Sequence, residues 1–340
     1  MLRELFAENK NIIINTDIDG ILSGALLVKY LGCNIVGFTN SKDAVWLADD
    51  HDDLYKNIYV DMFVTDDNAI CVDQHIVAVN AKHQKKIKAS NTKHSPQIDE
   101  NKVFSATDYP KKYPFGTFQY ILALLENEGI QVNLSPLSTP IANSQILLGD
   151  LLNRADDAMY STLYGYETNA KNWWNWLKKK SNNATSVCNL IQYLEDIRIA
   201  SKAYVDSDKK KHKAKEYKAH RKSTIKDIKA KTKKYFHTNF NRNSGDGGFN
   251  VITDNNGNLS QDFSNYVKTV FALLGCNNFN LPTHYNTHKG EYCRTRWLPI
   301  FEKDFLKNHT ICGHKVFSYA FIYGPSYDSK TNFSFTINMK

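Results

Sequence analysis

Short apolar runs alternate with acidic or turn-forming residues in the first third of the chain. The β-branched run Asn11–Asn15 predicts a strand, and the stretch from Ile21 to Leu31, which ends before Gly32, predicts a helix. Three further short apolar runs predict strands at 35–38, 58–60 and 69–72. Short buried strands separated by helices or loops are typical of a parallel sheet covered on both faces. The pattern therefore predicts an α/β fold.

The middle and the end of the chain have different patterns. Apolar residues at helical spacing predict helices at 115–128 and 141–152, followed by a long charged helix from about residue 186 to 234. After a turn-rich stretch that follows Phe240, short aromatic runs alternate with turns, which favours a compact α+β unit. We therefore expect a parallel-sheet α/β domain over 1–185, a basic helical linker over 186–240 and a smaller α+β C-terminal domain over 241–340.

Composition narrows the class of protein. Hydrophobic residues make up 42% of the 340 residues and charged residues 23%, which is ordinary for a globular chain and excludes a wholly disordered one. No apolar run is long enough to span a membrane, and charges interrupt the first eleven residues where a signal peptide has an apolar core. The six cysteines form no Cys-x-x-Cys pair, which argues against a zinc knuckle. We expect a cytoplasmic protein with no membrane partner.

Charge is distributed unevenly along the chain. The formal net charge is +8, and residues 202–234 contain fourteen Lys or Arg residues against four acidic ones. A row of cations gains free energy by releasing counterions from many phosphates, so this segment predicts a single-stranded nucleic acid or short oligonucleotides as partner. Aromatic residues that can stack on bases interleave it, namely Tyr204, Tyr217, Tyr235 and Phe236. The alternative is an ordinary solvated helix face.

Carboxylates follow the predicted strands. Asp17 and Asp19 come between the first strand and the first helix, and Asp61 and Asp73 each follow a later strand. Strand ends in a parallel sheet gather at its carboxyl edge, so these side chains are expected to converge. Like charges at short range repel unless a cation lies between them, and hard divalent ions prefer oxygen ligands. The pattern predicts a site that suits two divalent metal ions, although Asp-x-Asp-Gly is also common in turns.

These segments resemble the motifs of the DHH phosphoesterase superfamily, which includes RecJ-like exonucleases, nanoRNases and cyclic-dinucleotide phosphodiesterases. The matching residues are Asn15, Asp17 and Asp19 for the first motif, Asp61 for the second, Asp73-Gln74-His75 for the third, and Asp150 or Asp156 for the fourth. The resemblance implies that these carboxylates and Asn15 hold one or two Mn²⁺ or Mg²⁺ ions, that Asp61 bridges two ions and that His75 contacts the scissile phosphate. Asp156, in an Ala-Asp setting, is the first choice for the fourth motif.

Two departures from the family pattern affect the metal site. Asn15 stands where many members have His, and Gln74 stands where the family has a metal-binding His. A Gln carbonyl is a weaker ligand than imidazole for manganese. One metal site is therefore expected to be weak, and a catalytically degenerate member of the family stays open as an alternative.

The end of the chain is similar to the DHH-associated substrate-binding domain, which carries an arginine-bearing strand and a Gly-Gly-Gly-His loop. The counterparts are Arg294, Arg296, Gly313 and His314, of which the loop keeps one glycine of three. Arginine and histidine can donate to phosphate oxygens, and glycine lets the backbone approach a phosphate closely. The resemblance implies a substrate-binding role for these four residues. The plain alternative is a turn glycine with surface arginines.

The preferred interpretation is a divalent-metal-dependent phosphodiesterase, specifically a RecJ-like single-strand 5′-to-3′ exonuclease. A nanoRNase or cyclic-dinucleotide phosphodiesterase is the alternative within the family. A nucleic-acid-binding module that has lost catalysis is the alternative from another class, and the sequence feature that favours it is Gln74.

Overall fold

The computed structural model of the chain describes residues 1–100, 112–134, 166–190, 248–322 and 332–340. Eleven strands lie in these ranges and form two sheets. The first sheet contains β1 (Asn11–Asn15), β2 (Asn34–Thr39), β3 (Ala44–Ala48), β4 (Ile58–Val60), β5 (Ile70–Val72), β6 (Lys93–His94) and β7 (Tyr285–Lys289). The second sheet contains β8 (Glu291–Arg296), β9 (Thr310–Ile311), β10 (His314–Ile322) and β11 (Asn332–Ile337).

Eight helices accompany the two sheets in the described ranges. They are α1 (Leu2–Leu5), α2 (Ile18–Leu31), α3 (Ala81–Ser90), α4 (Pro96–Asp99), α5 (Thr117–Asn127), α6 (Tyr166–Lys180), α7 (Gln261–Leu273) and α8 (Pro299–Asn308). Helices α5 and α7 each pack against α2 beside the first sheet. A second apolar cluster joins the other face of that sheet to the aromatic residues of the second sheet.

The first sheet is mostly parallel, as the sequence predicts. Its strand order is β6-β5-β4-β1-β2-β3-β7, in which β6, β5, β4, β1 and β2 run parallel and β3 runs antiparallel to both of its neighbours, β2 and β7. The second sheet is antiparallel, with the order β8-β11-β10-β9. The prediction of a mixed α/β chain with a parallel sheet is confirmed.

The local sequence explains the central strand and the helix that follows it. The three isoleucines of β1 are fully buried, as expected for a parallel strand covered on both faces. Helix α2 begins at Asp17, whose Oδ1 accepts a 2.9 Å hydrogen bond from the backbone N–H of Gly20. It ends at Gly32, which has a φ of 67° in the left-handed region that glycine adopts without steric cost.

The two sheets are joined directly. Only Gly290 separates β7, the edge strand of the first sheet, from β8 of the second. A Cβ at Gly290 would lie 2.6 Å from Thr336 Cγ2 and 2.9 Å from the Ile337 carbonyl oxygen, so glycine permits this close approach. The C-terminal domain predicted over 241–340 includes β7, whereas β7 completes the first sheet. Strand β7 is an edge strand with polar residues, which hides it from an apolar pattern.

Several predicted features lie outside the described residues. They are the helix at 141–152, Asp150, Asp156, the basic segment 202–234 with its aromatic residues, and all of the linker after residue 190. Within the ranges that the structure describes, no helix has the length and apolar character needed to span a membrane.

Candidate functional site

The carboxyl edge of the first sheet carries the candidate site. The chain leaves β1 to form β2 on one side and later returns to form β4 on the other side, so the strand order reverses next to β1. Ligands of open α/β sheets bind in the crevice at such a reversal, outside the carboxyl ends of the strands. Asn15 ends β1, Asp61 follows β4 and Asp73 follows β5. Three predicted site residues therefore lie at this edge.

Asn15 links two of the carboxylates. Its Nδ2 donates to Asp17 Oδ2 and to Asp61 Oδ2, at 3.1 Å in both cases. The three side chains are buried, with Asp61 only 3% exposed. Because Asp17 Oδ2 and Asp61 Oδ2 both lie within hydrogen-bond distance of Asn15 Nδ2, the two oxygens are separated by no more than twice that distance. The structure thus brings the first two predicted motifs together.

Thr117 is the residue that sequence reasoning missed. Its hydroxyl group donates to Asp61 Oδ1 at 2.8 Å and accepts from the backbone N–H of Gln74 at 3.2 Å, while its own N–H donates to Asp19 Oδ2 at 2.8 Å. It therefore contacts three of the predicted segments at once. Its sequence signal was its position at the start of a predicted helix, where backbone N–H groups need an acceptor.

Asp19 has a structural role in this arrangement. Its two oxygens accept the N–H groups of Thr117 and Phe118, at 2.8 and 2.9 Å, so it caps the N-terminus of α5. A carboxylate is favourable there because the first N–H groups of a helix lack partners and its dipole is positive at that end. The side chain is fully buried. Asp19, predicted as a metal ligand, thus ties α2 to α5.

Asp61 has an unusual backbone conformation. Its φ is 58°, in the left-handed region, which costs about 1 kcal/mol for a residue with a Cβ atom. Its N–H donates to the Val72 carbonyl at 2.9 Å, and its carbonyl accepts from the Ser41 hydroxyl at 3.4 Å. Such strain is concentrated at functional sites, where surrounding contacts hold the residue in place.

The third predicted motif forms a tight turn after β5. Asp73 Oδ1 accepts the backbone N–H of His75 at 3.0 Å, and Asp73 is 1% exposed. Gln74 Nε2 lies 2.6 Å from His75 Nε2, so the two side chains are in direct contact. Gln74 is buried, and the resemblance assigned a metal-binding role to its position.

A cleft of about 50 Å³ opens between the two sheets beside these residues. Asp61, Asp73 and His75 line one side of it, and residues of the second sheet line the other. The lining residues from that sheet are Tyr292, Ser318, Tyr319, Ala320, Ser334, Phe335 and Thr336. Carboxylates and an imidazole therefore face a wall that is rich in hydroxyl groups.

The predicted arginines lie on the second sheet near this cleft. Arg294 is opposite Ser334 and Arg296 is opposite Asn332 in the pairing of β8 with β11. Opposite residues on paired strands share a face of the sheet, so Arg294 lies on the same face as Ser334, which lines the cleft. Both arginines are exposed.

Gly313 and His314 are placed differently. Cys312 and Gly313, with φ values of 50° and 80°, form the two-residue turn of the hairpin between β9 and β10. Turns of this type need a positive φ at both central positions, which explains the glycine. His314 is exposed at the start of β10, and neither it nor Gly313 is among the residues that line the cleft. The hairpin accounts for Gly313 without a ligand.

The donor chemistry fits a hard cation, because the cluster offers carboxylate and amide oxygens. Rotation of the Asn15 amide about its last bond would turn a carbonyl oxygen, in place of its NH₂ group, toward Asp17 and Asp61. In the described residues the carboxylates are instead joined by hydrogen bonds, and these residues contain no group of three or more His, Cys, Asp or Glu side chains arranged to hold a metal ion. The predicted ligands Asp150 and Asp156 lie outside them.

Comparisons with known protein families, with curated proteins and with solved structures give no match. The resemblance to the DHH superfamily therefore depends on the residues quoted above, and it stays a prediction.

Proposed function

We propose that this protein is a divalent-metal-dependent phosphodiesterase of the DHH type. The observation that supports it is the joining of three buried carboxylates, Asp17, Asp19 and Asp61, through Asn15 and Thr117 at the carboxyl edge of the sheet. Burying several like charges together costs free energy, and such clusters concentrate at functional sites. Helix capping accounts for Asp17 and Asp19, so the argument depends most on Asp61.

One or two Mn²⁺ or Mg²⁺ ions would be held by Asn15, Asp17, Asp61 and Asp73, with Asp19 supporting them from α2 by capping α5. A divalent ion bound at this place would lower the pKa of a bound water and neutralise charge on a phosphate. Thr117 keeps Asp61 in one orientation through its hydroxyl group.

The residues across the cleft would bind the substrate. His75 lines the cleft beside Asp61 and can donate to an oxygen of the scissile phosphate. Arg294, on the face of the second sheet that forms the opposite wall, can donate two parallel hydrogen bonds to a neighbouring phosphate. The substrate would then be held from both sides, with its phosphodiester next to the carboxylates.

A single-stranded polynucleotide is the substrate we propose, and a 5′-to-3′ exonuclease of the RecJ type is the activity. The basic segment 202–234 supports this choice, because counterion release grows with the number of phosphates contacted and a dinucleotide has too few. Cleavage of dinucleotides or cyclic dinucleotides is the alternative within the same chemistry.

A nucleic-acid-binding module without catalysis is the second candidate. The contact between Gln74 and His75 favours it, since an amide stands where the family has an imidazole ligand. Both candidates predict binding of single strands, and only the first predicts hydrolysis that depends on metal.

The test is hydrolysis of 5′-labelled oligonucleotides of two to about thirty units with Mn²⁺ and with EDTA. We expect Mn²⁺-dependent release of mononucleotides from the longer strands, and a loss of at least a hundredfold in the Asp61→Asn variant. The control is Asp50→Asn, which changes an aspartate whose side chain is 83% exposed. Binding of single strands without cleavage by the wild-type protein would contradict the proposal of a phosphodiesterase. Cleavage of dinucleotides alone would contradict the proposal of an exonuclease.

A further inference from the structure

Tyr292 is exposed at the edge of the candidate cleft. Its relative accessibility is 41%, and it is the one aromatic residue among the exposed large hydrophobic side chains of the described ranges. It also lines the cleft that contains Asp61, Asp73 and His75. An aromatic ring left in water gains free energy when a flat ligand covers it. The ring therefore offers a stacking surface at the edge of the cleft.

Two cations follow Tyr292 on the same face of the same strand. Tyr292, Arg294 and Arg296 alternate along β8 and are all exposed, whereas Cys293 and Thr295 between them are half-buried. Alternate residues of a strand are about 6.6 Å apart on one face. Adjacent phosphates of an extended single strand have a similar separation. The strand therefore presents one aromatic ring and two guanidinium groups at a spacing that is similar to the distance between adjacent phosphates of a single strand.

The position of β8 leaves this row accessible. It is an edge strand of the second sheet, and its partner β11 lies on one side only. Tyr292 is opposite Thr336 and Arg294 is opposite Ser334, and both of these partners line the cleft. Arg296 is opposite Asn332, beyond the lining residues. The row thus begins at the cleft and leads away from it.

We propose that Tyr292, Arg294 and Arg296 form a track for single-stranded nucleic acid. A base stacks on Tyr292 at the cleft, and the two arginines bind the following phosphates. This inference rests on the proposed function, and it restricts the substrate class to strands of about three nucleotides or more. A cyclic dinucleotide cannot reach all three side chains.

Binding measured without metal tests the track independently of catalysis. Fluorescence anisotropy in EDTA would follow labelled single strands of three to twelve nucleotides. We expect Tyr292→Ala to weaken binding by about 5- to 150-fold, which is the range for the loss of one stacked base, and Tyr292→Phe to bind like the wild type. Arg294→Ala should reduce the slope of log affinity against log salt by about 0.7, whereas Arg3→Ala, at an exposed arginine of α1, should leave it unchanged.

An abasic substitution distinguishes stacking from a general change in the protein. When it is moved along the strand, one position should weaken wild-type binding as much as Tyr292→Ala does, and the variant should be insensitive at that position. Equal affinity of wild type and Tyr292→Ala would overturn the track. A loss in Tyr292→Ala that is independent of the abasic position would overturn it as well.

The outcomes for the track and for the enzyme are separable. Tyrosine-dependent binding by a protein that never cleaves supports the track and overturns the phosphodiesterase. Mn²⁺-dependent cleavage by a protein whose binding is independent of Tyr292 overturns the track alone.

Discussion

The hydroxyl group of Thr117 donates a 2.8 Å hydrogen bond to Oδ1 of Asp61, a residue 56 positions earlier in the chain. The N–H of the same threonine donates to Asp19, so the first turn of α5 is attached to two buried carboxylates. The candidate site thus depends on a helix that contributes none of the predicted ligands. Four changes of single residues follow from this arrangement and from the contacts around it.

Replacement of Thr117 by valine should damage both stability and activity. Valine keeps the shape but leaves Asp61 Oδ1 and the Gln74 N–H without this partner. We expect a loss of about 1–3 kcal/mol in the free energy of unfolding, measured by urea denaturation, and a fall in Mn²⁺-dependent cleavage. Thr117→Ser keeps the hydroxyl group and should retain most of both. Wild-type cleavage by Thr117→Val would show that Asp61 needs no such support.

The Asp19→Asn variant distinguishes a helix-capping role of Asp19 from a role as a metal ligand. If the only effect of the Asp19 charge in the metal-free protein were repulsion of the neighbouring carboxylates, removing that charge would increase the free energy of unfolding. Because its two oxygens accept the N–H groups of Thr117 and Phe118, we expect instead a loss of about 1–3 kcal/mol in EDTA. Thermal and urea unfolding measure it, with Asp50→Asn as the exposed control. An increase in stability would contradict the capping role.

Gly313→Ala tests the role that the resemblance gave to this glycine. A Cβ there meets no atom within 4 Å, but the φ of 80° strains any residue with a side chain. We expect a loss of stability of about 1 kcal/mol and unchanged cleavage at saturating substrate. Gly313→Asn should recover part of the stability, because asparagine tolerates this turn. Impaired cleavage in a folded Gly313→Ala protein would restore the substrate-binding role.

Burial of His83 should make the protein less stable in acid. Burial lowers the pKa of its imidazole from 6.5 to about 4, and its Nδ1 accepts the N–H of Val79 at 3.3 Å. Below pH 6.5 the unfolded chain binds a proton that the folded protein excludes, so stability falls as the pH drops toward 4. The loss for this group is about 3 kcal/mol. Urea denaturation from pH 7 to 4 measures it, and His83→Gln should flatten the curve. An equal slope in both proteins would contradict the prediction.

The elements nearest the site could be predicted from the sequence. Strands β1 and β4 are uninterrupted apolar runs, and α2 has both a capping aspartate and a terminal glycine. The convergence of Asp17 and Asp61 followed from one rule, that the ends of parallel strands meet at one edge. These are signals carried by neighbouring residues.

The features that escaped prediction depend on distant contacts. Strand β3 is a short run between acidic residues, and β7 is a polar edge strand defined only by its pairing with β3. The contacts of Thr117 with Asp61 and Gln74 arise from the packing of α5 on the sheet edge, which no local pattern specifies. The hairpin at Gly313 is likewise defined by the pairing of Ile311 with His314.

The most direct test of the proposed metal centre is anomalous diffraction from crystals of the protein soaked in Mn²⁺. We predict one or two strong peaks among the side chains of Asn15, Asp17, Asp61 and Asp73, with the peak nearest Asp61 lost in Asp61→Asn. Peaks confined to the exposed acidic residues 49–53, or no peak at all, would contradict it.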